Sequence, residues 1–371
     1  MLPPTHKALV QEVYAEPLVV KEIATPQPDP GSVVIKIIAV PIISYAREVY
    51  NGNRKYSYPT PLVVGTSAIG RVAAVGVDTV KLKEGDLVYT DCVVRGRDDE
   101  EAIILTGLAD GSTDGSRKLF AQAWKDSTCA EYARVPLENT FALDEARLCG
   151  SPDTGGLGYS REQLCWILQA LVPYGGLRSI DLQAGETILI APSTGGFGSA
   201  AVVVALAMGA RVVAAGRNAE ALAKTKALND RVETVQITGD VEEEVAAIKK
   251  AARGNIDAFL DISPPEAQHS THLKAGIMSL RQAGRVSLMG GLLEDVPFPH
   301  RFIMRRNITL KGQWMYSREE ILAFLRLVTS GVLNFRDIVK VQGKFALEAW
   351  GKAFDVAWES GRLGELVVLT P

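Results

Sequence analysis

The chain is poor in the residues from which metal-built and disulfide-built proteins are made. Its 371 residues include four cysteines and four histidines. Cys92, Cys129, Cys149 and Cys165 are scattered, none within four positions of another, which excludes zinc knuckles and Cys-x-x-Cys redox pairs. His269 and His272 stand three apart and can share a helix face, but no neighbour completes a convincing ligand set, so no metal is expected there. Neither sign of charge dominates. Forty Lys and Arg face 43 Asp and Glu, for a net charge of -3, which gives no electrostatic ground for a nucleic acid or a membrane surface as partner. Long apolar runs are also missing: Ala200–Ala210 is about half of what a bilayer requires. The opening MLPPTHKALV lacks a basic segment followed by an apolar stretch, so no signal peptide is read and the expected location is cytoplasmic.

What is present is ordinary globular composition, 47% hydrophobic and 22% charged, in a chain long enough for two domains. The first 150 residues or so are β-rich. Lys7–Val13, Ser32–Val40 and Leu87–Thr90 carry β-branched and alternating apolar residues, and Tyr132–Pro136 resumes the pattern. Val63–Val77 has glycines at 65, 70 and 76, which predicts bent strands in a barrel-like sheet. Arg95–Lys125 is charged, Gly-rich and weakly periodic, and reads as a long surface excursion with a short helix at Lys118–Trp124. From about residue 160 strands and helices alternate, which predicts an α/β unit with a parallel sheet covered on both faces. Two amphipathic helices, Glu319–Ser330 and Leu347–Ser360, and a last strand, Glu365–Leu369, follow. That strand is expected to return to the first domain.

The strongest local signal is TILIAPSTGGFGSAAVVVALAMGARVVAAGRN. A strand enters a glycine-rich turn, a helix follows, then a second strand. Such a turn lets backbone amides approach a pyrophosphate, and the helix presents unpaired N–H groups to it. Gly195, Gly196, Phe197 and Gly198 are the candidates, with Ser193 and Thr194 as hydroxyl donors. Pro192 departs from the usual fingerprint, occupying the place of its first glycine. The second strand ends Gly216-Arg217-Asn218 without the Asp or Glu that accepts from the ribose hydroxyls of NAD. Arg217 offers a guanidinium to a 2′-phosphate instead, so the expected cofactor is NADP(H).

These blocks together resemble the medium-chain dehydrogenase/reductase family over nearly the whole chain. Gly65–Gly76 and Lys83-Glu84-Gly85-Asp86 resemble its GHExxGxVxxVG…GDxV pattern. Ala130-Glu131-Tyr132 resembles its AEY strand, and Leu182–Ala201 its LxxGExVLVxGxxGGVGxxA block. The resemblance implies a GroES-like, β-barrel-type catalytic domain over residues 1–160, a Rossmann doubly wound parallel sheet over 161–320 and a C-terminal return over 321–371. It also implies nicotinamide contacts at Ile262, Ser263, Met289, Gly290 and Gly291, with Tyr174 lining the cleft, and a homodimer paired through an edge strand near Leu310–Met315.

Matched against the family's zinc enzymes, this sequence lacks the ligands. Ile43 stands at the first ligand Cys, Thr66 at the ligand His and Ser67 at the following Glu. The structural-zinc lobe corresponds to Cys92–Lys125 and retains only Cys92. The expectation is a zinc-independent member. It is not a close match to the quinone-reductase branch either, whose Asn and Asp correspond to Ile43 and Ala46. Without zinc, reduction of an activated C=C bond or a quinone, which spreads charge over a conjugated system, asks less of the protein than reduction of a ketone. Tyr45, at the family's proton-relay position, is the candidate donor, with Ser44 second. The rival readings are a zinc-free NADP-dependent alcohol dehydrogenase or ketone reductase, and a non-catalytic NADPH-binding sensor.

Overall fold

The computed structural model describes all 371 residues. They divide into two units: Met1–Leu168 with Val339–Gly361 and Glu365–Pro371, and Gln169–Ile338 with Arg362–Gly364. The first expected boundary, near 160, falls at Leu168. The second, near 320, falls at Ile338. The helix Arg318–Ser330 therefore belongs to the second unit and not to the return. Its apolar face explains why: Ile321, Phe324 and Val328 are buried, and Phe324 meets the Tyr174 ring edge-on at 5.4 Å. A capping box between Ser317 and Glu320 starts this helix, and Gly331 at φ +84° ends it.

The first unit opens with ten strands: β1 (Thr5–Gln11), β2 (Val19–Ala24), β3 (Ser32–Pro41), β4 (Leu62–Val63), β5 (Ala68–Val75), β6 (Leu87–Thr90), β7 (Val93–Arg95), β8 (Ile103–Leu105), β9 (Tyr132–Pro136) and β10 (Thr140–Ala142). β3 is the spine. Its run SVVIKIIAVP pairs antiparallel with both β5 and β9, and its residues are almost all buried. The β3–β5 register shifts twice, between Val34 and Ile35 and between Ile37 and Ala39. Gly70 sits in this bent pairing, where a Cβ would stand 2.7 Å from the Lys36 carbonyl oxygen, so the glycine permits the close approach.

The stretch expected to be a surface excursion is a packed lobe. β7 and β8 form a hairpin, followed by a helix at Asp114–Leu119 that runs into a π-helical turn at Phe120–Trp124. Val94, Ile104, Leu105 and Phe120 are buried. The charged flanks masked the apolar AIILTGL between them, and that apolar segment supplies the lobe's core.

The second unit contains β11 (Thr187–Ala191), β12 (Arg211–Gly216), β13 (Val232–Gln236), β14 (Ala258–Asp261), β15 (Arg285–Leu288) and β16 (Thr309–Gly312). All pair in parallel, in the order β13-β12-β11-β14-β15-β16. Every residue of β11 and β14 is buried, as a sheet covered on both faces requires. The chain winds outward from β11 to β13, then crosses to β14 and winds the other way. The reversal between β11 and β14 is where a doubly wound sheet leaves a crevice at the carboxyl ends of its strands. At the opposite ends, Arg281 bonds Asp257 at 2.5 Å, Arg285 bonds Glu186 at 2.5 Å, and Asp257 also accepts from the Thr187 amide at 2.8 Å.

After this sheet the chain returns to the first unit as β17 (Lys340–Phe345) and β18 (Glu365–Leu369), which pair in parallel. β18 then pairs antiparallel with β3, giving the order β10-β6-β5-β3-β18-β17. No helix is long and apolar enough to cross a membrane.

Candidate functional site

The glycine-rich turn is built by packing. Ser193 is fully buried, and both its amide and its hydroxyl donate to the Ala215 carbonyl, at 2.8 and 3.0 Å. It is thereby corrected from a ligand donor to a brace between the ends of β11 and β12. The helix Gly196–Ala207 begins at Gly195, which has extended backbone and caps it with no side chain. Its first N–H groups therefore lack partners, and a Cβ on Gly195 would meet nothing within 4 Å. Gly198 is the opposite case: a Cβ there would lie 2.0 Å from the Pro192 carbonyl oxygen. Gly196 and Phe197 are half-buried in the same first turn. The result is an open N-terminus with its positive dipole end available to an anion.

At the end of β12, Gly216 is buried under the Thr194 methyl group, which a Cβ would approach to 2.6 Å. Asn218 spends its side chain on the Ala221 amide at 2.9 Å, capping the helix Ala219–Lys226. Arg217 is exposed and joins no ion pair; the Gln236 amide donates to its carbonyl oxygen at 3.3 Å. Neighbouring Glu220 is already paired with Lys224 at 2.8 Å.

The ends of β14 and β15 lie on the same carboxyl edge. Ile262 and Met289 are partly exposed there, and Gly291 is exposed. Beyond the strands, the Met289 amide donates to the Asp261 carbonyl at 2.9 Å and the Gly291 amide to the Ser263 carbonyl at 2.7 Å. Gly290 has no room for a side chain, since a Cβ would stand 2.5 Å from Asp261 Oδ2. The Ser263 side chain is corrected from a cofactor contact to an internal one: it is buried and donates to Asp261 Oδ1 at 2.5 Å. Its oxygen also lies 2.7 Å from Nε2 of His272, which the sequence weighed only as a metal ligand. The serine and the histidine are nine residues apart, across a turn with no periodic pattern, so no spacing signal revealed the contact. Tyr174 is buried, with its ring edge-on to Phe324.

In the first unit, Ser44 and Tyr45 lead into the short helix Ala46–Tyr50. Both are partly exposed. The Arg54 guanidinium lies over the Tyr45 ring at 4.3 Å. Desolvation pushes the Tyr45 phenol well above its usual pKa, and Tyr56, through its charge and its hydrogen bond, pushes the same way against Arg54. The hydroxyl therefore keeps its proton across the physiological range. Ile43 is buried and offers no donor atom. Thr66 is buried with its hydroxyl donating to the Pro41 carbonyl at 3.2 Å. Ser67 is held by Tyr89 at 3.1 Å and donates to Asp91 at 3.3 Å. Cys165 donates to the Ala39 carbonyl at 3.4 Å. Nowhere do three or more His, Cys, Asp or Glu side chains converge as a metal shell needs. The residues at this position do not fit a zinc ion.

Two family models match, in chain order: the alcohol dehydrogenase GroES-like domain over residues 29–145, and the zinc-binding dehydrogenase over 196–330. Curated relatives include an alcohol dehydrogenase of Rhizobium meliloti, 25% identical over 88% of this chain and 89% of that one. Another is the acryloyl-coenzyme A reductase of Metallosphaera sedula, 25% identical over 98% and 100%. Among solved structures, a short chain alcohol dehydrogenase from E. coli complexed with NADH superposes with a TM-score of 0.77, at 18% identity and 100% coverage of both chains, which shows the fold. With the two domain models in this order, a six-stranded parallel sheet and a glycine-built turn at its centre, the chain belongs to the medium-chain dehydrogenase/reductase superfamily and is an oxidoreductase of that family, whose cofactor is a pyridine nucleotide.

Proposed function

We propose that the protein is a zinc-independent, NADPH-dependent reductase of an activated C=C bond, an enone or enoyl compound, or of a quinone. The observation that carries this reading is the donor chemistry of the first unit. Ile43 has no ligand atom and the Thr66 hydroxyl is already committed, which supports a reaction that does without a Lewis acid on a ketone oxygen. A conjugated acceptor disperses the incoming charge itself and needs only a positioned proton. Tyr45 holds one, and Ser44 precedes it. The whole-length likeness to an acryloyl-coenzyme A reductase supports the same substrate class.

The cofactor assignment rests on Arg217, which is exposed, unpaired and placed at the end of β12. The amides of Gly195–Gly198 would receive the pyrophosphate, and Ile262 and Met289–Gly291 would flank the nicotinamide. Bound there, NADPH supplies the hydride; the chain's own groups orient it and deliver the proton. Turnover of enones, quinones and ketones, each with NADPH and NADH, tests the reading. Turnover confined to ketones would replace it with the alcohol dehydrogenase alternative, which the Rhizobium relative favours. Tight NADPH binding without turnover of any compound would leave a sensor.

The same proposal makes the protein a cytoplasmic homodimer acting on a small molecule, without nucleic acid or membrane. Support for pairing comes from β16, which has a partner on one side only, and from the exposed Trp314 beside it. Sedimentation at micromolar concentration decides the oligomeric state.

A further inference from the structure

The carboxyl end of β14 holds a buried polar cluster that no part of the reading above uses. Asp261, Ser263 and His272 are 3%, 3% and 2% exposed. Ser263 donates to Asp261 Oδ1 at 2.5 Å. His272 Nε2 lies 2.7 Å from Ser263 Oγ and 3.3 Å from the same Asp261 oxygen. His272 Nδ1 lies 2.8 Å from Ser270 Oγ. With the proton on Nε2, the imidazole donates to the serine–carboxylate pair and accepts from Ser270, and every member is satisfied.

The same three residue types make hydrolytic triads, but the wiring here differs. In a triad the carboxylate holds Nδ1 and leaves Nε2 to activate the serine. Here Asp261 and Ser263 meet the same nitrogen, and the serine proton already points at the carboxylate. The group is sealed from solvent and has no route to a substrate. Its chemistry is that of a lock. A fully satisfied network in an apolar interior is rigid because breaking any member strands a buried polar group.

The lock joins segments distant in sequence. Asp261 and Ser263 bracket Ile262. Their carbonyls accept from Met289 and Gly291, so the exit of β15 is fixed to the exit of β14. Asp261 Oδ2 fills the space beside Gly290 that a side chain would take. His272 opens the helix His272–Ser279, and the preceding Thr271 is anchored to buried Glu244 at 2.6 Å. Arg217 stands apart from all of this, at the end of β12, with β11 between β12 and β14.

We propose that His272, through Ser263 and Asp261, is a positioning residue that sets Ile262 and Met289–Gly291 for the nicotinamide half of the dinucleotide and leaves the adenosine half untouched. This inference rests on the dinucleotide reading of the second unit. Two ligands separate the halves: NADPH, followed by its fluorescence, and 2′,5′-ADP, followed by calorimetry. In His272→Ala the dissociation constant for NADPH is expected to rise about tenfold while that for 2′,5′-ADP stays within about twofold. His272→Gln, whose side-chain amide can donate in place of Nε2–H, is expected to recover most of the loss. Ser263→Ala removes one hydroxyl with little change of volume; it should give the same asymmetry, and it decides the matter if His272→Ala fails to fold. Equal weakening of both ligands, or of neither, overturns the positioning role. Wild-type protein that binds neither ligand overturns the dinucleotide reading itself, a separate and recognisable outcome.

Discussion

Gly198 lies so close beneath Pro192 that a Cβ would stand 2.0 Å from the proline's carbonyl oxygen. The helix cannot approach the end of β11 in this way with any other residue, whereas Gly195 three positions earlier faces open space. Gly198→Ala should therefore displace the first helical turn and raise the NADPH dissociation constant by about tenfold or more, with a loss of about 1–3 kcal/mol of stability. Gly195→Ala should leave stability within about 1 kcal/mol. Equilibrium unfolding and cofactor titration of both variants check this. Equal tolerance of the two substitutions would refute the packing role of Gly198.

In the proposed reading Arg217 sets the cofactor preference. Replacing it with Ala removes a charge-assisted contact to the 2′-phosphate and should weaken NADPH by about 1.5–3 kcal/mol, with NADH affinity nearly unchanged. Parallel titrations with the two nucleotides measure the ratio. An unaltered ratio assigns discrimination elsewhere.

Tyr45 is the donor in the proposed reaction. Tyr45→Phe keeps the ring and the Arg54 contact at 4.3 Å but removes the proton. A drop in kcat of about 10²–10⁴ with cofactor affinity preserved is the expected outcome. Because the phenol is held well above its usual pKa, no loss of rate from its ionisation should appear up to pH 9. Full turnover by the phenylalanine variant removes Tyr45 from the mechanism.

Alkali should destabilise the fold. Burial pushes the Cys92 and Cys129 thiols up to about 12, and Asp91 adds to the effect on Cys92. Cys165, Tyr50 and Tyr89 are shifted upward as well, chiefly by desolvation. Unfolded thiols ionise near pH 8.5–9, so the stabilising contribution is intact below that and declines as pH rises toward 12. Each fully buried thiol contributes about 1.4 kcal/mol per pH unit to the loss. Urea midpoints at pH 8, 9 and 10 should fall progressively, and less steeply in a Cys92→Ala, Cys129→Ala double variant. A midpoint that is level across this range contradicts the assignment.

The elements legible in the sequence were those with strong local patterns. β11 and the helix after it are nearly continuous apolar runs; of the expected glycines, Gly195 caps the helix and Gly198 lies in its first turn. β17, KVQGKF, was invisible because none of its residues is buried; only pairing with β18 makes it a strand. The lobe at 93–124 reads as a surface excursion because its charged flanks outweigh AIILTGL. At the site, residue types that bind through the backbone could be located, since a glycine in a turn has few other uses. Side-chain roles were harder. The sequence suggests Ser193 as a hydroxyl donor and Ser263 as a nicotinamide contact, yet each hydroxyl is turned inward, to Ala215 and to Asp261. Which way a hydroxyl points depends on contacts between strands, and a linear sequence does not display them.

The return of the chain also orders its manufacture. β18 takes its place between β3 and β17, so a strand inside the first sheet is synthesised only after every strand of the second unit. All six strands of the parallel sheet have emerged before it. The parallel sheet can therefore form during translation, while the Val40–Pro41 end of β3, already flanked elsewhere by β5 and β9, waits for β18.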